Sequence, residues 1–257
     1  MLCVLMLPGC KAPEDTAKPI KVETPPVKEP TPAITLNVAT LNLSKYGTRY
    51  EKQAIAKLAE IIKRENIDVL TLQGVTRYPD IQNRFDLIEE LRKHTGMYQK
   101  FGETQNLSGR QVGNAVFSSY PIKTFENLDY KKPKTLATAL SASVDAGVGN
   151  VVVVSTLIPE HLTTDEKFDC ITTLEGIQKK YQSSFFIVTG NVFMLDSKNL
   201  REFKLHYGLL KERDVFPQLL YLANDLLKLL DTKVEETGNG KMIIYSFGLF
   251  NRQSQSR

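Results

Sequence analysis

The candidates for chemistry in this 257-residue chain are scattered, and the best placed of them are neutral amides. Asn191, in Val188-Thr189-Gly190-Asn191-Val192-Phe193, follows a strand-like run. Its amide oxygen can hydrogen-bond a phosphate or ligate a cation weakly. Asn42 ends another such run in Thr40-Leu41-Asn42, where an asparagine either contacts a ligand or satisfies nearby backbone groups. Arg110 lies in a polar stretch between Gly102 and Gly113, read as a loop in which an arginine binds phosphate or is simply solvated. Lys131-Lys132-Pro133-Lys134 is a small basic cluster that reads as a solvated turn ahead of a contact with nucleic acid or anionic lipid. Of the three histidines, His161 falls in a loop, and His94 and His206 fall in or beside helical patterns. Cys3, Cys10 and Cys170 have no metal-ligand spacing, and their odd number makes no disulfide framework. Walker, dinucleotide-binding and G-x-S-x-G patterns are all missing.

The elements that must position these groups alternate between strand and helix, which predicts an α/β protein. Strand-like alternation covers 34–41, and 68–73 reads as a short buried strand. Between them, 51–65 places Ile55, Leu58, Ala59 and Ile62 on one helical face. A second helix is expected at about 84–94 with Leu87, Ile88 and Leu91 inward. Strands are expected at 114–118, 136–144, 150–156, 185–189 and 242–247. Thr163 and Glu166 resemble a capping box that opens a helix carrying Phe168, Ile171, Leu174 and Ile177, with Cys170 as a buried thiol. A leucine-rich helix is expected at about 217–230, and no internal repeat is found.

A hydrophobic fraction of 42% and a charged fraction of 24% are those of an ordinary globular protein, and a net charge of +4 says little about partners. The apolar start ends in Leu7-Pro8-Gly9-Cys10, which resembles a bacterial lipobox, in which the cysteine becomes a lipidated N-terminus. The stretch is short and lacks a positively charged beginning; a translation start placed too far downstream accounts for both. Residues 11–33 carry Pro13, Pro19, Pro25, Pro26, Pro30 and Pro32 among lysines and glutamates, the composition of an extended solvated tether. The chain is therefore expected to divide into a truncated signal (1–10), a Pro-rich tether (11–33) and one domain (34–257). A disordered cytosolic tail is the alternative for its beginning.

Several stretches taken in order resemble the landmarks of the endonuclease/exonuclease/phosphatase superfamily, the DNase-I-like hydrolases. They are Ala39-Thr40-Leu41-Asn42, Thr71-Leu72-Gln73-Gly74, Gly113-Asn114-Ala115-Val116-Phe117-Ser118-Ser119-Tyr120-Pro121-Ile122, Thr156-Leu157 and Gly190-Asn191-Val192-Phe193. The resemblance implies an α-β-β-α sandwich, four layers built on two packed mixed sheets. It also implies a divalent metal held by acids, which polarises a phosphate, and a histidine that activates water. Mapped residue by residue, Asn42 keeps the family's first-strand asparagine. Gly74 stands where the family has its metal-binding glutamate, and Asp68 begins the same strand too far back to replace it. Leu157 stands for the histidine, which His161 could replace only through a rearranged loop. Asn191 and Phe193 stand for an aspartate and an asparagine, and Ile244 for an acid of the late strand. The terminal Ser-Asp-His finds no counterpart, Ser254-Gln255-Ser256 coming too early.

The resemblance with these losses implies a catalytically inactive domain that acts by binding, lipid-anchored through Cys10 at a bacterial envelope. Asn42, Asn191 and Arg110 would be the remnant ligand-binding residues, with no metal and no cofactor expected. Its partner is expected to be a phosphorylated ligand or a protein; nucleic acid is not supported. The alternative is a divergent phosphoesterase or nuclease that uses Mg²⁺ or Mn²⁺ with Asn42, Asn191 and His161, or Asp214. A decaying gene product is a third reading.

Overall fold

The computed structural model describes residues 32–44, 52–78, 86–130, 137–158, 161–181, 185–192, 206–207, 219–221, 227–237 and 240–250. Cys3, Cys10, the basic cluster 131–134, Phe193, Asp214 and Ser254–Ser256 lie outside them, and for Asn191 the strand position is described but not the side chain.

Alternation of apolar and polar residues at a period of two makes strands, and here it makes two six-stranded sheets. The first contains β1 (Ile34–Asn42), β2 (Val69–Arg77), β3 (Tyr98–Leu107), β4 (Arg110–Ser118), β11 (Leu227–Glu236) and β12 (Lys241–Leu249), in the order β11-β12-β1-β2-β4-β3. The second contains β5 (Ile122–Asp129), β6 (Thr138–Asp145), β7 (Asn150–Ile158), β8 (Phe185–Val192), β9 (His206–Tyr207) and β10 (Leu219–Tyr221), in the order β5-β6-β7-β8-β10-β9. β1 runs parallel to β2 and β7 parallel to β8; the other described pairs are antiparallel, so both sheets are mixed.

Helices α1 (Lys52–Arg64) and α2 (Leu87–Thr95) bury Ile55, Leu58, Ile62, Leu87, Ile88 and Leu91 against the outer face of the first sheet, with Leu41, Leu70 and Phe117. Asp86 caps α2, its carboxylate accepting from the N–H groups of Ile88 and Glu89. Helix α3 (Thr164–Tyr181) covers the outer face of the second sheet through Cys170, Ile171, Leu174 and Ile177, which meet Val152, Val154 and Phe186. Its expected capping box is present: Thr163 N–H and hydroxyl donate to Glu166 at 2.9 and 2.8 Å, holding that carboxyl below its ordinary range. Burial pushes the Cys170 thiol up to about 12, so it is an inert core group. The four layers, α-β-β-α, are those expected.

Three expectations are corrected. Where the expected helix at about 217–230 is described, it is replaced by strands: Leu219–Tyr221 and Leu227–Glu236 are extended, and β11 is zipped antiparallel to β12 along its length. The leucines there favour a helix locally, but pairing with a central strand decides the matter. His206 accordingly lies in β9 rather than beside a helix. The polar stretch 102–113 is not a loop but a hairpin, β3 to β4, turning at Ser108 and Gly109 with φ of 51° and 85°. Ala33, within the Pro-rich segment, donates its N–H to Leu249 O at 2.8 Å and so joins the first sheet.

Candidate functional site

The carboxyl ends of β1, β2, β7 and β8 meet at one edge of the sandwich. Asn42 is the register partner of Gln73, and Leu157 that of Asn191. The two sheets touch there, because a methyl group built on Gly190 would stand 3.0 Å from the Gln73 side chain. The structure therefore gathers the strand positions of Asn42, Gly74, Leu157 and Asn191, as the resemblance requires.

What these residues do there is another matter. The Asn42 side-chain oxygen accepts from Ser44 N–H at 2.9 Å and from the Ser44 hydroxyl at 2.6 Å, which closes a local turn. Gly74 sits where the β2–β4 register shifts, between Leu72 and Val75, and has φ of 65°. A Cβ at this position would lie 2.7 Å from Ser44 Cα and 2.8 Å from Ser44 N. Leu157 is half-buried, and Ile244 packs into the core beneath α1 and α2. His161 is exposed in the turn before α3. Arg110 is half-buried at the first position of β4, opposite Leu107 at the hairpin tip. His94 lies in the last turn of α2.

Beneath this edge lies a layer that sequence reasoning missed. Thr40, Thr71, Gln73, Ser155 and Thr189 are all fully buried between the sheets. Gln73 is its centre: Thr40 donates to its oxygen at 3.2 Å, and its amide nitrogen donates to Ser155 at 3.0 Å and Thr71 at 3.3 Å. Across the sheets, the Thr71 and Thr189 hydroxyls are 2.7 Å apart, and Ser155 donates to Leu72 O at 3.1 Å. A second knot joins Asn114 to Thr138 O at 3.0 Å and the Thr104 hydroxyl to that of Thr138 at 2.8 Å. Thr156 donates to Thr138 O and bonds the Tyr130 hydroxyl, whose burial drives its ionisation far up. The signal was in the sequence as a change of type along alternate positions: Leu36 and Val38 then Thr40, Val69 then Thr71 and Gln73, Val153 then Ser155, Ile187 then Thr189.

The layer is neutral throughout, and its donors and acceptors are spent on one another and on main-chain carbonyls. Mg²⁺ prefers anionic and water oxygens in near-octahedral array. The described residues at this edge do not fit such an ion: the position of the expected carboxylate is a glycine, and the Asn42 oxygen is committed to Ser44. Among the described residues no group of three or more His, Cys, Asp or Glu side chains is placed to hold a metal. Arg77, at the carboxyl end of β2, pairs with Asp86 at 2.9 Å and lies over the Phe101 ring. Asp68 stands at the other end of β2, where it accepts from Asn37 N–H at 2.9 Å and burial raises its carboxyl above the ordinary range. It cannot serve this edge.

The sequence model of the Endonuclease/Exonuclease/phosphatase family matches residues 34–223. No curated protein matches the sequence. Among solved structures, a protein of that family from Leptotrichia buccalis C-1013-b is similar with a TM-score of 0.63 at 16% identity, over 83% of this chain and 99% of that one. A second, from Beutenbergia cavernae DSM 12333, gives 0.64 at 14% identity over 84% and 72%. The human Nocturnin catalytic domain with a bound sulfate gives 0.62 at 14% identity over 85% and 94%.

Proposed function

The chain belongs to the endonuclease/exonuclease/phosphatase family, and from that premise we propose that it is a non-hydrolytic member, a binding domain carried on a lipid-anchored tether at a bacterial envelope. The observation that carries the first half is the neutral layer under the strand ends. Hydrolysis in this family's manner needs charge at that edge: acids to hold a metal and a base to activate water. Gly74, Leu157 and Ile244 supply neither, and the buried oxygens below them belong to hydroxyls and amides that already bond each other. The ligand class proposed for this edge is a phosphorylated compound held at the rim by the Arg110 guanidinium and the Asn191 amide rather than by the buried layer. A protein partner is the other outcome. The bound sulfate of the human Nocturnin domain is consistent with oxyanion binding on this fold. The anchor rests on Leu7-Pro8-Gly9-Cys10 and on the prolines that follow.

The test is hydrolysis of a nitrophenyl phosphodiester and phosphomonoester by the full chain with Mg²⁺ or Mn²⁺, beside an Asn191→Ala variant. No turnover from a cooperatively folded sample is expected. Turnover that the variant loses would instead establish a divergent phosphoesterase with Asn191 in its site. For the anchor, palmitate labelling of the expressed chain should be abolished by Cys10→Ser; label that survives the change removes the lipoprotein reading.

A further inference from the structure

We infer that the turn after β1 is a fitted plug, so that this edge is closed to a metal-binding side chain at position 74 by backbone and not merely by the identity of one residue. The inference shares its edge with the non-hydrolytic reading and deepens it. A Cβ at Gly74 would stand 2.7 to 2.8 Å from Ser44 Cα, Cβ and N, closer than real Cβ atoms come to anything. Two of those three atoms are main chain, so no rotamer change relieves the conflict; the turn must move as a piece.

The turn is pinned against such movement. Leu43 N–H donates to Gln73 O at 2.8 Å, and the Leu43 side chain is fully buried in the core under α1 and α2. Asn42 holds Ser44 by two bonds to one oxygen. Asn42 is thus a positioning residue for the plug: the oxygen that the family resemblance would aim at a ligand is turned onto the chain's own backbone.

Strain from the positive φ of Gly74 has to be separated from the clash, and the protein contains the control. Gly96, at the carboxyl end of α2, has φ of 72° with nothing within 4 Å of a Cβ, so Gly96→Ala reports strain alone. Melting temperatures of the full chain are then compared for Gly74→Ala, Gly96→Ala, Asn42→Ala and Gly74→Ala combined with Asn42→Ala. Gly74→Ala should fall well below Gly96→Ala. The combined variant should fall by less than the sum of its single changes, because cutting the Asn42 bonds releases the turn that the alanine must displace. Asn42→Asp, which keeps the acceptor oxygen, should restore the full penalty at position 74. Equal shifts for Gly74→Ala and Gly96→Ala, or additive shifts in the combined variant, overturn the plug. Turnover of a phosphodiester by the unaltered chain with Mn²⁺ would sink the non-hydrolytic reading and leave these melting comparisons to judge the plug by themselves.

Discussion

The space between the two sheets has two halves built by the same strands. In the half near the amino ends of β1, β2, β7 and β8 the facing residues are Leu36, Val38, Val69, Val151, Val153, Phe185 and Ile187, with Tyr245 and Phe247 from β12. In the half under the candidate edge the same strands present Thr40, Thr71, Gln73, Ser155 and Thr189. Both halves are buried, so the difference is one of how they cohere. The apolar half holds the sheets by area and close packing, which tolerates a change of shape at modest cost. The polar half holds them by directed bonds, which stabilise only while every member is paired. A scaffold can keep a buried polar layer between its sheets only if that layer is neutral and complete. This one is both.

The sharpest way to break the comparison is to fill the polar half with one carbon. Gly190 has φ of 116°, and a Cβ there would stand 2.0 Å from Thr156 O and 3.0 Å from the Gln73 side chain. Gly190→Ala is expected to cost more than about 4 kcal/mol, or to prevent folding, because main-chain strain and a disrupted network coincide. Denaturant unfolding that placed it within about 1 kcal/mol of the unaltered chain would mean that the sheets can part at this level.

A smaller effect is expected from Gln73→Leu, which keeps bulk and removes the hub. Thr40 loses its described side-chain partner and Ser155 loses a donor, so a loss of roughly 2–3 kcal/mol is anticipated. A gain would show that the layer is a cost carried for binding. The smallest effect belongs to the apolar half. The Tyr245 hydroxyl is buried there without a hydrogen-bond partner among the described residues, and burial raises its ionisation. Tyr245→Phe removes an orphaned polar group and should leave stability unchanged or raise it by up to about 1 kcal/mol. A marked loss in the same unfolding assay would mean that the hydroxyl finds a partner in solution, and that the two halves differ less than their residues suggest.

Much of the fold was legible in advance. The alternation of 34–41, the apolar face of 51–65, and Thr163 with Glu166 each act over a few residues, and each appears as expected. The failures were of another kind. Residues 217–230 have a leucine pattern that suits a helix, yet Leu227–Glu236 pairs with Lys241–Leu249, and a ladder on a buried sheet outweighs weak local preference. The stretch 102–113 looked too polar for structure, but it forms a hairpin at the sheet's edge, where one face stays wet. At the site, the residue types at Gly74 and Leu157 were legible, whereas the turn packed against Gly74 was not.

The sequence by itself determined the strand at 34–41, the helix at 51–65 and the cap at Thr163 and Glu166, that glycine, leucine and isoleucine stand at positions 74, 157 and 244, and where hydroxyl residues succeed aliphatic ones along each strand. Those are properties of periodicity and side-chain type, expressed within a single element. Only the tertiary structure decided that the hydroxyl positions fall at one level and bond across the sheets, as Thr71 does with Thr189, 118 residues away. It also decided that the Ser44 backbone occupies the space a side chain at Gly74 would need. Both depend on the register and approach of strands distant in the chain, and a hydrogen bond or a clash is settled by tenths of an ångström that no local pattern encodes.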